Sequence, residues 1–274
     1  MRSTLSMTIC IACIALPAKT HEFWIDTVDY QIEPGEAIVA DLRVGTEYEG
    51  SSQSFIPRRF ERFQYALNGQ ELDVPGILGD RPAANFPVED EGLVVVVHQT
   101  TDLSVTWSTW EKFQNFVVHK DADWVLSEHE AEGLEKDGVR EVYSRYAKSL
   151  IAVGAGEGSD VTTGMLTELV ALENPYTDDL SDGFAVSVLY EGKPREDTQV
   201  EIFQRAPDGT VEISTVKTDQ AGVALVPVLA GHEYMLDSVV LRRTDKASDA
   251  GEPYVWESLW ANLTFEVPTD AAIN

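Results

Sequence analysis

Leu93-Val-Val-Val-Val97 has no polar residue in its five positions, and four of the five are β-branched. Branching at Cβ restricts χ1 and suits a pleated surface, so the run predicts a strand. A strand with one wet face would alternate apolar and polar residues. A continuous apolar run predicts burial on both faces. Working outward, Glu36 to Val44 is also rich in strand formers. Phe63–Leu67 and Glu71–Val74 flank Asn68-Gly69, the pair that favours a type I′ turn, so this stretch predicts a hairpin. Gly45 to Ser54 is polar and predicts a loop.

The second half repeats the short-strand pattern. Phe184–Tyr190 runs into the turn Glu191-Gly-Lys-Pro194, Gln199–Phe203 into Pro207-Asp-Gly209, and Val211–Lys217 into Thr218-Asp-Gln-Ala-Gly222. Strands at Val223–Val228, Tyr234–Leu241 and Leu259–Val267 follow. Between the halves the pattern changes. Ser108-Thr-Trp-Glu111 fits a capping box opening a helix through about Val118, and Asp121 predicts the cap of a second helix, Trp124–Glu132, ended by Gly133. Glu128, Glu130, Glu132 and Glu135 read as a solvated acidic face. Strand is expected to resume at Ser149–Val153, with a linker at Gly154–Ser159. The fold predicted is mainly β, with two β-sandwich domains. Residues 21–160 form the first, with a helical insertion at about 108–148. Residues 168–270 form the second, a prealbumin- or immunoglobulin-like sandwich.

Hydrophobic residues make up 43% of the 274 residues and charged ones 24%, a globular composition with material for a sizeable core. Twenty Lys and Arg against 47 Asp and Glu give a formal charge of −27. That argues against nucleic acid and against anionic membrane surfaces, both of which need a basic footprint. Met1-Arg2 followed by the uncharged, mostly apolar Leu5–Ala18 reads as a signal peptide over residues 1–20, too short to span a bilayer. Cleavage after Ala18 and cleavage after Thr20 compete, and a lipoprotein site at Cys13 would cut the apolar run short. Both cysteines, Cys10 and Cys13, fall in this segment, so the mature chain is expected to have neither a disulfide nor a thiolate site. It is expected to be soluble, periplasmic and, with Arg2 and Lys19 gone, to carry a charge of −29.

His21-Glu-Phe-Trp-Ile25, Arg145-Tyr-Ala-Lys-Ser-Leu150, Glu173-Asn-Pro-Tyr176, Leu189-Tyr-Glu-Gly-Lys-Pro194, Thr218-Asp-Gln-Ala-Gly222 and Trp256–Phe265 occur in that order. Together they resemble an exported bacterial family, the domain of unknown function 4198, over essentially the whole mature chain. The resemblance implies a periplasmic component of nickel or cobalt uptake, partnered by an inner-membrane metal transporter. Gly192 to Tyr234 further resembles the carboxypeptidase-regulatory type of β-sandwich, a module usually without catalytic residues. Family members often carry a histidine near Val240, where this chain has Val-Val-Leu.

Imidazole suits nickel, cobalt, copper and zinc, and without cysteine it would lead any metal site. His21 is the sharpest candidate: if the chain is cut after Thr20, its α-amine and ring could chelate one ion together. Cutting after Ala18 removes that chelate. The other reading is that His-Glu-Phe-Trp simply begins the first strand. His98 follows the valine run, where a satisfied structural histidine is the ordinary case. His119 and His129 fall in the helical insertion, near Asp123 and Glu128, at a separation that matches no compact metal motif. His232 reads as exposed and inert. Trp107, Trp110, Trp124, Trp256 and Trp260 could line a sugar-binding face, but packing anchors are the commoner role. Nucleophile-elbow, zincin, P-loop and dinucleotide signatures are missing, so the chain is not read as an enzyme. The function expected is binding or delivery of a divalent transition metal (nickel, cobalt or copper). The alternative is a non-catalytic envelope scaffold or adhesion module for protein or glycan.

Overall fold

The computed structural model describes residues 21–271, and the expected signal peptide, with both cysteines, lies outside the described residues. The first part of the chain forms β1 (Glu22–Thr27), β2 (Gln31–Ile32), β3 (Ala37–Thr46), β4 (Glu49–Gln53), β5 (Phe60–Leu67), β6 (Gln70–Asp73), β7 (Ala84–Pro87), β8 (Gly92–Thr100) and β9 (Leu103–Thr106). Two helices, α1 (Trp110–His119) and α2 (Trp124–Ala131), precede the long strand β10 (Arg140–Val153). The rest is β11 (Thr167–Ala171), β12 (Phe184–Tyr190), β13 (Lys193–Pro194), β14 (Gln199–Arg205), β15 (Val211–Lys217), β16 (Val223–Val226), β17 (Glu233–Arg243) and β18 (Trp256–Glu266).

A ten-stranded sheet is the spine, ordered β15-β14-β17-β18-β10-β8-β5-β6, with β2 and β9 also pairing with β10. It passes from one half of the chain to the other through the parallel pairing of β10 with β18, from Glu141↔Trp256 to Ser149↔Thr264. Alternation divides its side chains between two cores. Leu93, Val95, Val97, Tyr146 and Leu150 pack with the small sheet of β11, β12, β13 and β16. Val94, Val96, Ala147, Ile151 and Val153 pack with the sheet of β1, β3, β4 and β7 on the opposite face. The valine run is unbroken because β8 is covered on both sides. Asn68 and Gly69 both have positive φ, 50° and 77°, as a type I′ turn requires, and they join β5 to β6.

Three local expectations are corrected. Polar Gly45–Ser54 is not a loop: Glu49–Gln53 forms edge strand β4 on β3, joined to it through Glu47 and Tyr48 at φ 55° and 66°. A ladder needs only backbone, and Gly50 fits because a Cβ there would sit 2.7 Å from the Trp24 ring. The helical insertion ends well before residue 148, because β10 begins at Arg140. Glu141, Arg145 and Lys148 hide that strand from a hydrophobicity reading, although all three are buried in it. The α1 cap is Thr109 rather than Ser108, its side chain accepting from the Lys112 N–H. Helices α1 and α2 pack Phe113, Phe116, Val117 and Val125 with Trp107, Trp256 and Trp260 over the β17–β18 end of the spine.

Candidate functional site

The register of the spine places a row of polar side chains on the face that carries the helices. Glu201 of β14 pairs with Asp237 of β17, Asp237 with Asn262 of β18, and Asn262 with Ala147 of β10. Glu141, Tyr143 and Arg145 share the Ala147 face of β10 by the two-residue period. Over this face lie the start of β1 and the C-terminal cap of α1, which deliver Glu22 and Lys120.

Lys120 Nζ contacts the Glu201 carboxylate, lies 3.1 Å from Asp237 and 3.9 Å from Glu22, and sits 4.7 Å from the Trp260 ring centre. All four charged residues are buried. Burial raises the Glu22 carboxyl to about 7 and Asp237 to about 6, against the opposing attraction of Lys120. Burial alone would lower Lys120, but the three carboxylates outweigh it and keep the ammonium charged. Glu201 stays low against its own burial because His119 and Lys120 both bond it. One oxygen of Glu22, one of Asp237 and both polar atoms of Asn262 are buried with no hydrogen-bond partner among the described residues.

Beside this cluster opens a cavity of about 320 Å³, lined among others by His21, Trp107, Lys112, Glu141, Tyr143, Arg145 and Trp260. Trp107, Phe116 and Trp260 stack nearly parallel, with interplanar angles of 16° and 10°. Glu141 accepts from Trp107 Nε1 at 2.7 Å and from Ser258 Oγ, and burial still raises it to about 7. Trp260 Nε1 donates to Ser258 at 2.8 Å, which closes this wall of the cavity.

The four candidate histidines separate. His21 is exposed and lines the cavity. His98 is 1% exposed inside a cage of Phe23, Phe60 and Phe63, with ring centres 4.7–5.1 Å away; neither nitrogen has a partner among the described residues. Desolvation, helped by the Arg145 charge, lowers its pKa to about 3. His119 pairs through Nε2 with Glu201 at 2.7 Å, which raises its pKa. His129 is buried, accepting from Trp256 Nε1 at 3.1 Å on Nδ1 and facing the Glu135 carbonyl at 3.1 Å with Nε2. Asp123 and Glu128 do not join it. Among the described residues, no group of three or more His, Cys, Asp or Glu side chains is placed to hold a metal ion. Sequence reading missed Glu22, Lys120, Arg145, Glu201, Asp237 and Asn262. The available signal was a charged or amide residue inside an apolar strand, as in Tyr-Met-Leu-Asp237 and Trp-Ala-Asn262-Leu.

The domain of unknown function 4198 matches residues 18–241. The chain belongs to that family. The matched region takes in His21, β10 and most of the polar row, so the cavity lies largely within the family's domain. Curated proteins give no match. Among solved structures, the crystal structure of Salmonella alpha-2-macroglobulin reacted with methylamine is similar over 90% of this chain and 15% of that one, at 11% identity and a TM-score of 0.22.

Proposed function

We propose that this member of the family is an exported, periplasmic, non-catalytic binding protein. Its cargo is a divalent transition metal of the nickel or cobalt type, passed to an inner-membrane transporter. The observation that carries the reading is the placement of His21. Alone among the four candidate histidines, it has a ring that is both exposed and without a hydrogen-bond or ion-pair partner among the described residues, and it stands on a cavity wall at the start of β1. His98 is sealed among aromatic rings, His119 is engaged through Nε2 by Glu201, and both nitrogens of His129 are engaged, by Trp256 and the Glu135 carbonyl. A leader ending at Thr20 would free the His21 amine beside that ring, giving two donors from one residue.

Calorimetric titration of chain beginning at His21 with nickel, cobalt and copper tests this, beside chain carrying one extra N-terminal residue. The expected result is binding tighter than about 1 mM, roughly −4 kcal/mol, lost in His21→Ala and weakened by the extra residue. Equal affinity of the two chains would remove the amine from the site. No binding in this range would remove the metal reading and leave the envelope scaffold in its place.

A further inference from the structure

Arg145 is 8% exposed and lines the cavity. A guanidinium carries five N–H donors and no acceptor. Among the described residues its side chain makes one hydrogen bond, from an Nη to the His21 carbonyl at 3.3 Å, and its Nε is buried without a partner. No carboxylate lies within ion-pair distance of it among the described residues. It lies instead over the rings of Tyr143 and Phe23, at 4.9 and 5.6 Å. Among the described residues, the two other buried Lys or Arg side chains have their acids. Lys120 holds Glu201 and Asp237, and Lys148 holds Asp160 and Glu168. An unpaired buried charge costs several kcal/mol, and a chain with 47 acids had carboxylates to spare. Lys112, bonded to Ser108 at 3.0 Å, adds a second cation to the cavity lining.

We propose that the cavity binds a small organic carboxylate with a flat apolar body. Its carboxylate takes the free donors of the Arg145 fork, a bidentate match of planar groups. Its body lies on the wall made by Trp107, Trp260 and Tyr143. A volume of about 320 Å³ is at the small end for ligand sites and holds a ligand of one ring. This site goes beyond the metal reading and needs no metal.

The test is titration of metal-free mature chain with benzoate and with benzamide, its neutral isostere, followed by tryptophan fluorescence and calorimetry. Benzoate is expected to bind at about 1 mM or tighter and to alter emission from Trp107 and Trp260, and benzamide at least about tenfold more weakly. Acetate and sulfate separate the contributions of ring and charge, and both are expected to bind more weakly than benzoate. Lys112→Gln, an exposed change that leaves the core intact, is expected to weaken benzoate a few-fold. Arg145→Lys, which keeps the charge and loses the fork, is expected to weaken it at least about tenfold. Benzamide binding as well as benzoate, no response to benzoate up to about 10 mM, or a folded Arg145→Lys with unchanged affinity would each overturn the assignment. Because no metal is present, none of these results bears on the His21 chelate.

Discussion

His98 shows how one residue type can carry opposite meanings. Caged by three phenylalanines and lowered to about 3, it is neutral in the folded state, whereas an unfolded chain protonates it near 6.5. Below pH 6.5 the unfolded state therefore binds more protons, so this residue makes stability fall as pH falls from 6.5 toward 3. His98→Leu removes that fall and a partnerless polar ring together. Urea melts at pH 7 and pH 5 are expected to show a variant about 1 kcal/mol or more stabler than the parent, with the larger gap at pH 5. Glu141 has the opposite sign. Raised to about 7 by burial, it keeps its proton in the folded state after the unfolded carboxyl has lost it near 4.5. Its contribution is present below 4.5 and is lost as pH rises through 7. Glu141→Gln is expected to lose up to roughly 3 kcal/mol less stability than the parent between pH 4.5 and 8. Parallel curves across that range would show that Glu141 ionises normally.

At the scale of elements, β10 is the member on which the rest depends. It pairs with β2, β8, β9 and β18 and carries buried charges on both faces. Toward β11 it sends Lys148, fully buried, to Asp160 at 2.6 Å and Glu168 at 3.2 Å. Asp160 also accepts from the Ala171 N–H at 2.9 Å, so the triad ties the segment after β10 back onto β11. Lys148→Met leaves two carboxylates buried without their cation and is expected to cost about 3–5 kcal/mol. Adding Asp160→Asn and Glu168→Gln is expected to recover part of that loss, measured by denaturant midpoint. A cost below about 1 kcal/mol for the single change would mean that water reaches the triad. The helices are held differently, by aromatic packing onto Trp256 and Trp260. Phe116→Ala, which opens the stack between Trp107 and Trp260, is expected to cost about 3–5 kcal/mol.

For the whole molecule, continuity of the spine matters more than the division into halves. Nine residue pairs join β10 to β18 in parallel, so neither half closes its sheet without the other. Thermal unfolding is expected to be one cooperative transition, and two resolved calorimetric peaks would refute this. The charge of −27 acts over the same scale. Raising sodium chloride from about 20 to about 200 mM shortens the Debye length to below 10 Å and screens self-repulsion. The melting temperature is expected to rise over that range; a flat or falling curve would place the acids in compensated networks instead.

The sequence by itself determined the local structure: the β class, the strands from Phe184 to Val267, the Asn68-Gly69 hairpin, α2 with its glycine stop and the double burial of Leu93–Val97. Each of these rests on periodicity, branching or turn chemistry within a few residues. It also marked His21 by position. Only the tertiary structure decided that β10 starts at Arg140 and that β4 is a strand, because pairing across the sheet there overrides side-chain polarity. It alone decided which histidines are sealed, paired or free. It also assembled Glu22, Lys120, Glu201, Asp237 and Asn262 from five elements, and left Arg145 without an ion-paired acid among the described residues. Contacts between residues more than a hundred positions apart have no local trace, since strand order and register, not sequence spacing, bring them to one face.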